Sequence, residues 1–372
     1  MAVQTFVKGD DFKKLIDDKL INSSSVKYVL KQKGIIPICT NAENLSSLIY
    51  HHFFGSDTMS KMQDVMNFEQ NNLKSTVIVL APQDSSSETD FLTTIADEFV
   101  SRSRIPNSKY ELKNITRNES NVTLQYVYKK SQKGRISLAE TRTVTLDINI
   151  SPLDDEQYKV SIRHEGVSES KQFVSLLDDM VQTDTEKNIF GLRRITLNSL
   201  LKANKVDFFD LFGAYNHSDW KLIDIINVTV NKNESVIDEE YDDNSSEELD
   251  KNEPTGRLTG ISTAILKGDG LRNNDFVKEC MDQGFIFSSM CYKFSHRQLP
   301  ITIDIDVNFK QTDLKINVIK TYQLEDDGKD HPTQLPSSEQ GNYIDYFQNV
   351  AYNVYSKLLE RQKEEIRKNQ IT

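Results

Sequence analysis

The chain has 372 residues, of which 37% are apolar and 27% charged, with a formal net charge of −11. That length predicts two to three globular domains with cores of their own. The longest apolar runs, such as Thr76–Ala81, stop far short of the roughly 20 residues of a membrane-spanning helix.

Residues 1–72 read as a helical module. Asp11–Leu20 is a short amphipathic helix, and Ser25–Lys33 is a second that ends at Gly34, a usual residue just past a helix C-terminus. Thr40-Asn41-Ala42-Glu43 forms a capping box, in which hydroxyl and carboxylate satisfy reciprocal backbone amides. The helix it opens carries Leu45, Leu48, Ile49 and Phe53 on one stripe and ends at Gly55. Met59–Phe68 is expected to add a fourth.

From Ser75 the hydrophobic period changes. Thr76–Leu80 is a β-branched run expected to form a buried strand. Thr89–Val100 is helical, followed by strands over Val122–Tyr128, Thr143–Ile150 and Tyr158–Arg163, then helices over Glu169–Val181 and Ile195–Phe212. Trp220–Val230 is a further strand. Asn231–Pro254 is too polar to bury a core and reads as a linker or long loop. Beyond it the pattern predicts strands at Gly256–Leu266, Phe285–Phe294, Ile301–Asn308 and Leu314–Thr321, with a short helix at Asn273–Asp282. Glu325–Gln340 reads as a loop. A long helix over Tyr343–Lys368 closes the chain, with Ile344, Phe347, Ala351, Val354 and Leu358 on one stripe suited to packing on a sheet.

The segments 144–150 and 301–307 resemble each other, and each is followed by a second strand and a helix. This predicts either an internal repeat or two alternating hairpins that share only their period. The fold class expected is α+β: the helical module at 1–72, a sheet-plus-helix domain at 73–218, and a second at 219–372 that contains the acidic tract and the long helix.

The charge is unevenly spread. Glu234–Glu253 holds ten carboxylates and one lysine, a net of −9, whereas Ser101–Thr145 has ten Lys/Arg and three Glu, a net of +7. In the basic segment Arg102, Arg104, Lys113, Lys129, Lys130, Lys133 and Arg135 are interleaved with Tyr110, Tyr126 and Tyr128. Such a strand and turn would hold phosphates and stack bases, although Tyr126 and Tyr128 share one strand face with Leu124, as core residues also do. The acidic tract is either a solvated linker or an autoinhibitory cover for the basic segment.

Within Val26–Phe53 a helix runs into Lys31-Gln32-Lys33-Gly34-Ile35, then an extended strip at Pro37–Cys39, the capped turn, and a helix bearing Leu45, Leu48 and Ile49. This resembles the SAP-like helix–extended-loop–helix motif. The resemblance implies nucleic-acid binding through helix N-termini and basic side chains, here Lys27, Lys31 and Lys33. The second helix carries His51 and His52 where the family has basic residues. A helical hairpin used for packing or oligomerisation fits the same residues.

Catalytic signatures are missing: there is no P-loop, GxGxxG, GxSxG or HExxH. Asp304 and Asp306, followed by Asp313-Leu314-Lys315, give the sequence order of a metal-dependent nuclease site, but ordinary alternation also puts both aspartates on the polar face of their strand. Cys280, Cys291 and His296 lack a fourth ligand and paired spacing for zinc. No cofactor or metal is expected. Three cysteines are too few for a disulfide framework, and the opening residues lack a signal-peptide apolar stretch, so a cytoplasmic location is expected.

The leading expectation is a non-enzymatic binding or assembly subunit with a protein partner, associated with nucleic acid, as an accessory factor in bacterial antiviral defence or DNA processing. The alternatives are a divergent metal-dependent nuclease using Asp304 and Asp306, and a structural homo-oligomer built through the final helix.

Overall fold

The computed structural model describes residues 7–17, 21, 23–38, 42–50, 53–58, 61–62, 72–82, 88–103, 111–118, 120–131, 141–154, 157–164, 170–175, 177–178, 190–231, 263–268, 271, 275–283, 285–309, 313–324, 330–333 and 335–371. The acidic tract, most of the expected helix at Met59–Phe68 and the turn 132–140 lie outside these. The chain divides into two compact units. One comprises Met1–Asn72, Val100–Asn114 and Gln125–Leu146; the other comprises Leu73–Phe99, Ile115–Leu124 and Asp147–Thr372. No helix among the described residues is long and apolar enough to cross a membrane.

In the first unit, β1 (Val7–Lys8) leads into α1 (Gly9–Asp17), followed by α2 (Ser23–Gln32), α3 (Ala42–Ile49) and β2 (Phe53–Phe54). Asp10 and Asp11 lie in the first turn of α1, where carboxylates complement the helix dipole. The Asp11 carboxylate also accepts the Lys8 amide at 2.9 Å. The three helices close one core: Leu15 and Ile16 from α1, Val26, Val29 and Leu30 from α2, and Leu45 and Ile49 from α3. The expected third helix is shorter than its pattern. It stops at Ile49, and Phe53–Phe54 pairs with Val7–Lys8 as a short antiparallel ladder. The reason is packing: in β2 the Phe54 ring joins the same core.

The second unit is built on one large antiparallel sheet. Its strands are β3 (Lys74–Pro82), the ends of β4 (Glu111–Arg117), β5 (Val122–Ser131) and β6 (Thr141–Asp154) assigned to this unit, β7 (Gln157–His164), β8 (Phe190–Arg194), β9 (Trp220–Asn231), β10 (Thr263–Lys267), β11 (Ile286–His296), β12 (Ile301–Asn308), β13 (Lys315–Leu324) and β14 (Asp330–Pro332). The order through its centre is β10-β9-β11-β12-β13-β3-β7-β6. The two strand groups expected to form separate sheets are therefore joined, because β13 pairs with β3 through Lys315↔Thr76 and its neighbours. The two look-alike hairpins, β6–β7 and β12–β13, lie on either side of β3.

The described residues also include helices α4 (Glu88–Ser103), α5 (Lys202–Gly213), α6 (Asp275–Asp282) and α7 (Ser337–Ile371), with helical residues at 170–175 and 177–178. The expected helix at Ile195–Phe212 begins only at Lys202. Before it come strand β8 and a single 3-10 turn at Leu197–Ser199. Alternation fixes which sheet face each helix covers. Ile303, Ile305 and Val307 of β12, and Ile316 and Val318 of β13, share one core with Phe208, Phe209 and Phe212 of α5 and Ile344, Phe347, Ala351, Val354 and Leu358 of α7. The apolar stripe legible in the last helix is thus its buried face. On the opposite sheet face Phe91 of α4 packs on Tyr158 with ring centroids 4.3 Å apart, and Phe99 stacks on Phe173 at 5.5 Å.

Candidate functional site

In the first unit the helix–strip–helix is built from its turn outward. Helix α2 ends in a Schellman arrangement: the Ile35 amide donates to Leu30 O at 3.0 Å and the Gly34 amide to Lys31 O at 3.0 Å. Gly34 has φ +77°, a conformation that a side chain would strain. Beyond this turn Ile35 still packs against the core, while the next two isoleucines point away from it. Ile36 is 73% exposed and Ile38 95%, with Tyr28 at 61% on α2 and Leu48 at 45% on α3. In the core of the same module Val29, Leu30, Leu45 and Ile49 are fully buried. The module therefore folds on one set of apolar residues and presents another to solvent.

Of the basic residues of this motif, Lys31 is exposed and Lys27 half-buried. Lys33 is ion-paired with Asp57, which Lys61 also approaches at 3.8 Å. Cys39, His51 and His52 lie outside the described residues. In the basic segment, Lys113 of β4 and Lys129 of β5 are exposed. Arg102 and Lys130 belong by their backbones to α4 and β5. Arg104, Lys133 and Arg135 lie outside the described residues. Tyr126 and Tyr128 alternate with the half-buried Gln125 and Val127 but are themselves buried, and burial raises the Tyr126 phenol to about 12. Their rings serve the core reading of the Leu124–Tyr128 face and are not presented for base stacking.

The nuclease-like residues belong to the second unit, on the sheet face away from α7. Asp306 is held by three donors: Ser289 Oγ at 2.7 Å on one oxygen, and the amides of Asn308 and Asn317 on the other. Asp304 is 1% exposed and accepts Tyr322 Oη at 2.7 Å. That contact depends on a β-bulge. Between Asp304 and Ile305 the register with β13 shifts, from Asp304↔Lys320 to Ile305↔Val318. The extra residue at Ile319 re-aims the rest of β13, so that Tyr322 reaches the face that carries Asp304.

Lys293 lies opposite Asp304 on β11, with Nζ 4.7 Å from the Tyr322 ring centroid and 2.9 Å from Asp330. Thr302 donates to the other Asp330 oxygen at 3.1 Å. Burial pushes the Asp304 carboxyl above the ordinary carboxylate range, against the pull of Tyr322 and Lys293. The two aspartates are thus committed to strand-to-strand hydrogen bonds, and among the described residues no group of three or more His, Cys, Asp or Glu is arranged around a metal position. Asp313 and Lys315 do not join them: Arg194 takes Asp313 into a separate cleft.

The cysteine and histidine candidates are distributed through the structure. Cys280 is buried in α6. Cys291 faces Asp306 across β11 and β12, where burial and the two aspartates push its thiol upward. His296 Nδ1 lies 3.2 and 3.0 Å from the amides of Gln298 and Leu299 and accepts both.

Comparison with protein-family models, with curated proteins and with solved structures returned no match. The functional reading therefore rests on the residues themselves. What the sequence could not reveal was the exposure of Ile36 and Ile38, since apolar residues in a strip look like core until the helices on either side have closed without them.

Proposed function

We propose that this protein is a non-enzymatic binding and assembly factor, with the helix–strip–helix at Val26–Ile49 as its docking element and nucleic acid as its ligand. The observation that carries this reading is the pair Ile36 and Ile38, largely exposed above a core that is complete without them. Exposed apolar side chains beside a basic helix end suit a nucleic-acid surface: lysines meet phosphates and small apolar side chains wedge against base steps. Lys31 lies in the last turn of α2 and Lys33, paired with Asp57, just past its end, and Lys113 and Lys129 supply exposed charge elsewhere in the same unit. The SAP-like resemblance supports the same assignment. An accessory role in bacterial defence or DNA processing would fit this assignment.

The test is fluorescence anisotropy of labelled duplex DNA and single-stranded RNA against the full chain at rising salt. Binding should weaken with salt in proportion to the phosphates contacted. Lys31→Glu should flatten that dependence, and Ile38→Asp should weaken binding without changing its salt slope. Absence of salt-dependent binding to either nucleic acid removes this reading.

A further inference from the structure

The sheet of the second unit ends at β10, which pairs with β9 on one side and is the last strand in the order. Its register with β9 gives each residue a face. Ala264 and Leu266 lie opposite Val230 and Val228 and pack against the core that includes α5 and α7, but both are only half-buried. Thr263, Ile265 and Lys267 lie on the other face, opposite Asn231, Thr229 and Asn227. Ile265 is 59% exposed. An outermost strand with exposed apolar residues is a template on which a further strand adds.

The backbone is oriented for that addition. The Gly268 amide donates to Ile226 O at 3.1 Å. Antiparallel bonding alternates along a strand, so Leu266 and Ala264 also turn their amides and carbonyls towards β9. Those of Thr263, Ile265 and Lys267 point the other way, to the side on which no described strand lies.

The side chains select the partner. Thr263 Oγ1 and Asn231 Oδ1 are buried without a hydrogen-bond partner, on residues directly opposite each other. Asn231 is 5% exposed. Buried polar atoms left unpaired are costly, so a donor set beside Thr263 would stabilise this edge. The strand carries such a donor at its other end: Lys267, its one charged residue, which is exposed.

We propose that β10 pairs with β10 of a second copy of this chain, antiparallel, about a two-fold axis at Ile265. Ile265 then faces the second copy's Ile265 on the outer side of the sheet. Ala264 faces the second copy's Leu266 on the core side, small against large. Thr263 faces the second copy's Lys267, whose ammonium supplies the donor that Thr263 Oγ1 and Asn231 Oδ1 lack. The outward amides and carbonyls of 263, 265 and 267 meet their counterparts as hydrogen-bonded pairs. The contact is isologous, so both copies gain the same bonds. Moving the axis by one residue sets Ile265 against Thr263 or Lys267 and removes the match.

The test is sedimentation equilibrium of the full chain. The paired strands are short, so a reversible dimer with a Kd of about 1–100 µM is expected. Ile265→Lys sets like charges face to face on the axis and should raise Kd about tenfold or more, with the thermal midpoint of the dilute protein unchanged. Ile265→Pro deletes an amide that β9 does not use and should disrupt the dimer in the same way. Lys267→Glu should weaken the dimer about threefold or more, and adding Thr263→Lys, which restores opposite charges across the axis, should recover part of that loss. A chain that stays monomeric at about 200 µM overturns the proposal and leaves the edge to a strand of another protein. A dimer that survives both Ile265 variants also overturns it, because the contact then lies elsewhere, as does failure of Thr263→Lys to rescue Lys267→Glu.

Discussion

A methyl group at Gly341 would sit 2.5 Å from Nη1 of Arg163. The guanidinium lies across the first turns of α7, where Nη2 donates to Asp345 at 2.6 Å and to the Gly341 carbonyl at 3.3 Å. Replacing a helical glycine with alanine ordinarily stabilises by about 0.5–1 kcal/mol. Here the sign should reverse, because the arginine must leave a partly buried ion pair to make room. Gly341→Ala should lose about 1 kcal/mol in urea denaturation. In an Arg163→Ala background the same substitution should become stabilising. A stabilised Gly341→Ala in the unaltered protein would sink this account.

Gln348 fastens α7 to the centre of the sheet. Its side chain is fully buried, and Nε2 donates to Ser75 Oγ on β3 at 2.9 Å and to Ser161 Oγ on β7 at 3.0 Å. Ser75 Oγ donates onward to Ile316 O on β13 at 2.6 Å. Gln348→Met keeps the volume but leaves buried hydroxyls without their donor, and should cost about 1–3 kcal/mol. Adding Ser75→Ala and Ser161→Ala removes those hydroxyls, so the triple variant should recover part of the loss. If it is less stable than Gln348→Met alone, the hydrogen bonds are not the source of the cost.

Asp304 should make stability depend on pH with a sign opposite to that of most surface carboxylates. Burial raises its carboxyl above the ordinary value of 3.8. The folded state therefore holds its proton at pH values where the unfolded state has released it. Stability from this group is complete below 3.8 and is lost as pH rises through the folded value. Asp313 contributes in the same direction, also through burial. Asp304→Asn retains an acceptor for Tyr322 and removes the charge, so its urea midpoint should lie at or above that of the unaltered protein at neutral pH, with a shallower fall above pH 3.8. Parallel pH profiles for the two proteins would contradict this.

His217 should act in the other sense. It is buried beside Phe212, Phe294 and Phe347, with Nδ1 3.2 Å from Tyr346 Oη and Nε2 3.1 Å from Phe212 O. Burial lowers its pKa below 6.5, so the folded state requires the neutral ring. The stability it contributes is present above 6.5 and lost as pH falls through the folded value. An NMR titration of the imidazole protons should give a midpoint below 6.5. A midpoint at or above that value would mean that the aromatic cage does not exclude charge.

Much of the fold was legible because one face of most elements is core. The TVIVL run, the alternation in Ile301–Val307 and the stripe from Ile344 to Leu358 each identified an element and its buried side, and all three meet in the second unit. The single sheet was not legible, because β13 meets β3 only through Lys315–Asn317 and Lys74–Thr76, mostly polar residues with no periodic signal. Strand β4 was missed for a similar reason: Glu111–Arg117 is almost wholly solvent-facing and has little apolar pattern to read. The polarity of Asp304 and Asp306 was read correctly, but not their burial. A period-2 pattern separates two faces without saying which of them is dry. The cleft at Arg194 assembles residues more than a hundred positions apart, and Asp313-Leu314-Lys315 looked like the partner of Asp304 only because it is close in sequence.

The last prediction separates the two apolar sets of the N-terminal module. Ile36 and Ile38 are mostly exposed, whereas Leu45 is fully buried among Val29, Leu30 and Ile49. Ile36→Ser with Ile38→Ser should change stability by no more than about 0.5 kcal/mol, as surface substitutions do. Leu45→Ala should cost about 2–5 kcal/mol through lost burial and the cavity it leaves. Gly34→Ala has open space around its Cβ and no clash to relieve, so its cost is backbone strain alone, about 1–2 kcal/mol at φ +77°. Nucleic-acid affinity should follow the reverse order, falling most for the serine pair and least for Leu45→Ala measured well below its melting temperature. If the serine pair unfolds the module, the strip is part of the core and its exposed isoleucines are not a docking surface.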